Sequence, residues 1–124
     1  MKTRYDNSYT PPAPCLGIRL AAPDEPFRSQ ELKALVDTGA DATIVPAQYV
    51  ELLGAQIDNR KVLRSPWGGR QIVDVYLLDV EIADQRLPLI EVIADEQGEE
   101  AILGRNILNR LFMVLNGPKL ILEI

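Results

Sequence analysis

Few residues in this 124-residue chain have the means to do chemistry. There is no histidine and only one cysteine, Cys15. That excludes Ser-His-Asp and Cys-His catalysis, histidine general bases and histidine-ligated metals. It also excludes an intrachain disulfide and a cysteine-rich zinc site. Carboxylates, hydroxyls, lysines and backbone remain. One carboxylate stands apart by its setting, in Ala34-Leu35-Val36-Asp37-Thr38-Gly39-Ala40-Asp41-Ala42-Thr43-Ile44-Val45. Here an aspartate ends an apolar run and is followed at once by Thr-Gly. The run draws the backbone of Asp37 into the core, while Gly39 permits a tight turn and close approach of another backbone. Thr38 offers a hydroxyl to a neighbouring loop. A carboxylate so held can act as a general acid or base. It can equally cap a strand-end turn, and the triplet alone leaves both readings open. Farther along, a second apolar run meets glycine in Ile102-Leu103-Gly104-Arg105-Asn106.

The elements that must position these residues read as short strands. Leu16, Ile18 and Leu20 alternate with Gly17 and Arg19, a period of two. Leu32 to Val36 forms a strand running straight into Asp37. Thr43 to Val45 forms another, stopped by Pro46, which suits the first turn of a helix over Ala47–Leu53 that ends at Gly54. A strand begins at Val62, and Pro66-Trp67-Gly68-Gly69 is the strongest turn signal in the chain. A long alternating strand follows from Ile72 to Ile82, with a kink expected at Leu77-Leu78, and then another from Leu87 to Ile93. After an acidic loop at 95–100 come a short apolar strand at Ala101–Leu103 and a helix at Arg105–Leu111. Strands at Phe112–Leu115 and Leu120–Ile124 are joined by Asn116-Gly117-Pro118. Residues 1–14, with Pro11-Pro12-Ala13-Pro14, read as a flexible or edge arm. Residues 15–124 read as one domain. The expected class is all-β with one or two short helices, a small barrel-like or sandwich fold.

A hydrophobic content of 47% supports a real core. Thirteen basic against 18 acidic residues give a net charge of −5, which argues against nucleic acid and acidic membranes as partners. The longest uninterrupted apolar run, Leu111 to Leu115, is too short to span a bilayer, and the first residues lack the apolar stretch of a signal peptide. A cytoplasmic protein is expected. Cys15 reads as a small, partly buried strand residue.

The pair of motifs, Asp37-Thr38-Gly39-Ala40-Asp41 and Ile102-Leu103-Gly104-Arg105-Asn106, resembles that of the retropepsin-like aspartic proteases. These comprise the retroviral proteases and their single-domain bacterial relatives, and a bacterial member is expected here. The likeness is detailed over Ala34–Val45 and Ile102–Leu108 and loose over the rest from Leu16 onward, and the fold it implies is a small closed barrel. It implies an aspartic endopeptidase active as a homodimer, because one such chain supplies a single catalytic aspartate and no second Asp-Thr/Ser-Gly is present. The implied partners are a second copy and a peptide or protein substrate. No cofactor, metal or covalent intermediate is implied. Asp37, Thr38 and Gly39 would form the catalytic loop, with Thr38 bonding reciprocally to the partner's loop and Gly39 lining the substrate backbone.

Ala40 stands where pepsins carry Ser or Thr, which moves the expected activity optimum toward mildly acidic or near-neutral pH. Asp41 would meet substrate backbone beside Arg105, and Ile44 and Ile102 would wall apolar subsites. Gly104, Arg105 and Asn106 would support the site. Trp67, Gly68 and Gly69 fall at the tip of a flap that would close over substrate, in a shorter form than the retroviral one. Trp67 packing on its own barrel is the alternative. Glu96, Glu99 and Glu100 would favour basic substrate residues or simply be solvated. The terminal strands, interleaved between subunits in the retroviral proteases, either form the interface or complete the monomer's own sheet. A catalytically idle peptide-binding or dimerisation module on the same fold is the rival reading.

Overall fold

The computed structural model of the chain describes residues 1–64 and 68–124. Strands hold 51% of residues and helices 7%, so the class is all-β. In chain order the strands are β1 (Lys2–Arg4), β2 (Cys15–Ala21), β3 (Leu32–Val36), β4 (Thr43–Pro46), β5 (Ile57–Arg64), β6 (Arg70–Ile82), β7 (Gln85–Asp95), β8 (Ala101–Leu103), β9 (Val114–Asn116) and β10 (Ile121–Glu123). Helix α1 (Ala47–Glu51) follows β4 and α2 (Arg105–Leu108) follows β8. The main sheet runs β2-β3-β8-β4-β7-β6-β5, and pairing of β2 with β6 closes six of these strands into a barrel. Strand β5 lies outside the closure and forms a long antiparallel hairpin with β6.

Alternation decides which side chains fill the barrel. Leu16, Ile18 and Leu20 of β2 point inward with Leu78, Val80 and Ile82 of β6, all at most 2% exposed. Leu103, Ile107 and Leu122 complete the same cluster. Each such side chain contributes about 1.5–3 kcal/mol when fully buried, an upper bound because unfolded chains are partly compact.

Both helices stop earlier than the sequence suggests. The expected helix at Arg105–Leu111 ends at Leu108, where Arg110 and Leu111 turn to i−3 carbonyl acceptors and the last turn tightens. The expected helix at Ala47–Leu53 ends at Glu51 for the same reason, and Gly54 reverses the chain at φ +66°. The kink expected at Leu77-Leu78 lies one step on. Register shifts between Leu78 and Val80, where Pro88 and Leu89 of β7 oppose Asp79 alone.

Asp79 is 1% exposed and resolves that irregularity. Its Oδ1 accepts the Leu89 N–H at 3.0 Å. Its Oδ2 accepts the Asp24 N–H at 3.0 Å and two N–H groups of Arg86 at 2.9 and 2.7 Å. Asp24 and Leu89 both have left-handed backbones, φ 64° and 53°, which non-glycine residues rarely adopt. The Arg86 guanidinium in turn stacks on Phe27, 4.5 Å from the ring centre.

The two ends of the chain pair with each other. Strands β1, β10 and β9 form a separate three-stranded antiparallel sheet, with Thr3, Leu122 and Leu115 side by side in register. Leu122 is fully buried in the barrel's core cluster, so β10 completes this chain's own fold. The segment before β2 is tied down as well, by a bridge between Asp6 and Ala13 and by an ion pair from Lys33 to Asp6 at 2.5 Å. That ammonium, with the Ser8 N–H and hydroxyl, holds the Asp6 carboxyl down to about 2. Among the described residues no helix is long and apolar enough to cross a membrane.

Candidate active site

Two strand ends are laid side by side at the site. Strand β3 runs parallel to β8, with Leu35 beside Ile102 and Val36 beside Leu103. Both chains then leave the barrel together. The Asp37 N–H donates to the Leu103 carbonyl at 3.1 Å, and the Arg105 N–H donates to the Ala40 carbonyl at 2.9 Å. The loop after β3 is thus bonded at both ends to the segment carrying Gly104. Within it, Asp37 Oδ1 accepts the Gly39 N–H at 2.9 Å, and the Ala40 N–H returns to the Asp37 carbonyl at 3.2 Å. Asp37 is half-buried, while Thr38 and Gly39 are exposed. A Cβ on Gly39 would sit 3.2 Å from Asp37 Oδ1, which is why this loop takes a glycine next to its carboxylate.

Arg105, at the start of α2, clamps the loop from outside. Its Nη1 donates to the Thr38 carbonyl at 2.8 Å and its Nη2 pairs with Asp41. Asp41 is 88% exposed, so this ion pair adds little to folding stability. Its effect is to fix the loop between Thr38 and Asp41. Arg105→Ala is expected to lower kcat for the family reaction by about tenfold or more through loss of alignment. The thermal midpoint is expected to move by no more than about 4 °C. Steady-state kinetics beside a melting curve check both.

Behind the loop a polar network joins β4, the start of α2 and β7. Thr43 is fully buried; its hydroxyl accepts the Gly104 N–H at 3.1 Å and donates to Asn106 Oδ1 at 2.8 Å. Asn106 Nδ2 then donates to the Glu91 carbonyl on β7 at 2.9 Å. Gly104 packs so closely on Ala42 that a Cβ there would lie 2.2 Å from the Ala42 carbonyl oxygen. Backbone cannot yield that distance without moving the Asp37–Ala42 loop. Gly104→Ala is therefore expected to destabilise the fold by about 2–3 kcal/mol, read by urea denaturation.

In front of Asp37 lies a cleft of about 660 Å³. Its floor is Asp37, Gly39, Ala40, Asp41, Ala42 and Ile44. Its opposite wall is the β5–β6 hairpin, through Leu63, Arg64, Gly69, Arg70 and Gln71. Leu63, Ala42 and Ile44 pack on Val73, Val75 and Ile93, which makes the base of the cleft apolar. Two carboxylates and two guanidinium-bearing residues surround it. Of the residues singled out from sequence, Asp37, Gly39, Ala40, Asp41, Ile44 and Gly69 line this cleft, and Thr38 does not. Ile102 stands beside Ile44 in the β4–β8 pairing but does not line it, and neither does Gly68, an exposed turn residue at φ 85°. Trp67 lies outside the described residues.

The acidic loop is elsewhere. Glu96 lines a different depression with Glu51 and Asp95, and Glu100 accepts the Tyr9 hydroxyl, which raises the Tyr9 pKa. The Cys15 thiol is buried at the start of β2, and that burial raises its pKa.

Residues 27–110 match the profile of the family described as gag-polyprotein putative aspartyl protease. The chain belongs to this retropepsin-like family. The matched span starts before β3 and ends just past α2, so it holds both motifs, the hairpin and every residue of the cleft. No curated protein matches the chain. The Asp-Thr-Gly loop is thus seated in the family's matched segment, while β1, β2, β9 and β10 fall outside it.

Thr43, Leu63, Arg64 and Gln71 were not singled out by the sequence, and Arg70 only as the end of the candidate flap tip at 65–70. Thr43 had a readable signal, as the one hydroxyl in the otherwise apolar Thr43–Pro46, since a buried hydroxyl must find partners. The hairpin residues had none, because their role depends on where β5 folds back.

Proposed function

We propose that the protein is an aspartic endopeptidase active as a homodimer, with Asp37 from each chain forming one catalytic pair. The observation that carries this reading is the half-buried Asp37 carboxylate, held by the Gly39 N–H on the floor of a cleft walled by a β-hairpin. Two carboxylates brought together across a two-fold axis cannot both ionise and share one proton, an effect for which aspartic proteases are the standard example. The ionised member takes a proton from water as the water oxygen attacks the scissile carbonyl carbon. The protonated member donates to the carbonyl oxygen, giving a neutral gem-diol. The carboxyl that took the water proton then gives it to the amide nitrogen while the other carboxylate takes a proton from a gem-diol hydroxyl; the C–N bond breaks, leaving carboxylic acid and amine, and the pair again holds one proton. The acid and base belong to the pair and not to either copy.

The substrate is a peptide lying extended between floor and hairpin. Gly39 presents backbone without a side chain, so a peptide can approach closely. Ile44, Leu63 and Ala42 offer an apolar subsite. The hairpin serves as the flap that excludes water during reaction. Exposure of Thr38 supports a contact between its hydroxyl and the second copy's loop.

The test is digestion of a diverse peptide library from pH 4 to 8, read by mass spectrometry, with wild type and Asp37→Asn side by side. Cleavage by wild type alone supports the reading. Cleavage by both, or none by wild type shown to be dimeric, refutes it.

A further inference from the structure

The charged groups around the cleft differ in what they are paired with. On the floor, Asp41 is ion-paired with Arg105, and Asp37 accepts the Gly39 N–H. On the opposite wall, Arg64 of β5 and Arg70 of β6 both line the cleft and are both exposed. They stand directly opposite each other, as the last pair in the β5–β6 register before the turn. Residues so placed share one face of the hairpin, with Cβ atoms about 4.5–5.5 Å apart, and like charges there are destabilising. Among the described residues, neither guanidinium has a carboxylate partner. Farther down β5 such partners are supplied. Arg60 pairs with Asp74 at 3.1 Å and Lys61 with Glu91 at 2.6 Å. The residues joining Arg64 to Arg70, Ser65-Pro66-Trp67-Gly68-Gly69, include no acid.

We propose that Arg64 and Arg70 form a subsite for a substrate carboxylate, so that the preferred substrates are peptides with Asp or Glu near the scissile bond. This inference rests on the peptidase reading above and names its substrate class. A carboxylate set between two guanidinium groups accepts charge-assisted hydrogen bonds from both, and their planar forks suit its two oxygens. It also relieves the repulsion between the two cations, so the acid is favoured twice over. A peptide fits better than a free anion because the pair adjoins apolar surface. Leu63, next to Arg64, packs with Ala42 and Ile44 at the base of the cleft. The site can therefore hold an apolar side chain and an acidic one of the same extended segment. The chain's net charge of −5 does not oppose this, because exposed charges farther off than about 8 Å are screened at physiological salt. Glu96 and Glu100 are placed elsewhere. The wall cations thus set the charge preference, opposite in sign to the one an acidic loop at the cleft would impose.

The test uses the full chain and two peptide libraries blocked at both ends. They are identical except that every Asp and Glu of one is Asn and Gln in the other. For matched peptides, wild type is expected to show a kcat/KM about 10-fold higher on the acidic member. Arg64→Gln and Arg70→Gln should each reduce that ratio, and together they should abolish it. Reversing both charges, Arg64→Glu with Arg70→Glu, should move the preference to Lys and Arg. The Gln variants should melt no lower than wild type, since each removes a like-charge contact. A lost preference is then not lost folding. Arg60→Gln takes the same charge from the same hairpin outside the cleft and should leave the ratio unchanged. A ratio that falls equally in Arg60→Gln, or that survives loss of both Arg64 and Arg70, overturns the proposal. Retention of the two libraries by Asp37→Asn, read by mass spectrometry, separates the subsite from the peptidase reading. Acidic peptides retained through Arg64 and Arg70, with no Asp37-dependent cleavage by wild type, uphold the subsite and refute the peptidase. Asp37-dependent cleavage at equal rates on both libraries does the reverse.

Discussion

Asp37→Asn is expected to lower kcat for peptide hydrolysis by at least about 10³-fold, the scale of losing a general acid–base pair. An amide cannot take the proton from water, and a pair with one amide has no proton to share. The same substitution is expected to leave the thermal midpoint within roughly 3 °C of wild type. Asp37 is half-buried, and the bond its carboxylate accepts from the Gly39 N–H is one the Asn carbonyl oxygen can accept. The split between activity and stability separates a reacting carboxylate from a turn cap, for which both would change little. Mixing the variant with wild type adds a second readout. If one site needs both copies, excess Asp37→Asn chains draw wild-type chains into mixed dimers and reduce activity per wild-type chain. Activity that stays proportional to wild-type chain alone would rule out a shared site.

Asp79→Ala is expected to destabilise the fold by about 2–4 kcal/mol, lowering the melting midpoint by roughly 10 °C. It orphans the N–H groups of Asp24 and Leu89, both in left-handed backbones the carboxylate helps to hold. Arg86 is part-exposed and can turn to water, so its loss adds less. Asp79→Asn should cost nearly as much, because its NH₂ would face these donors.

The acid limb follows from the same contacts. Burial by itself would raise the Asp79 pKa. The N–H groups of Leu89 and Asp24 and the Arg86 guanidinium outweigh it, and the net direction is down. A lowered folded-state value means that this contribution is present above about pH 4, where the unfolded group ionises, and is lost as pH falls through the folded value. Urea midpoints measured from pH 7 to pH 3 should fall for wild type and fall less steeply for Asp79→Asn. Equal slopes would show that another carboxylate governs acid stability.

What the sequence by itself determined was local. Alternation placed β2, β3, β4, β6 and β7 to within a few residues, because a strand with one face in the core needs an apolar residue at every second position. The Asp37 loop was legible for a related reason. An acid directly after Leu35-Val36 and before Gly39 reads as a turn cap or a reacting group alike, and its companion Leu103-Gly104, which repeats the pattern, is what singled it out. Tertiary structure alone decided what lies opposite that loop. The β5–β6 hairpin brings Leu63, Arg64, Arg70 and Gln71 to the cleft, and nothing local to those residues encodes a distance to Asp37. It also decided that the acidic run at 96–100 lies away from the cleft, that Leu89 leaves the ladder to meet Asp79, and that β10 closes this chain's own sheet while β9 keeps an open edge. Strand periodicity specifies which face of a strand is buried; which neighbour buries it is set by closure of the barrel and pairing of the chain's ends, contacts between residues far apart in the chain.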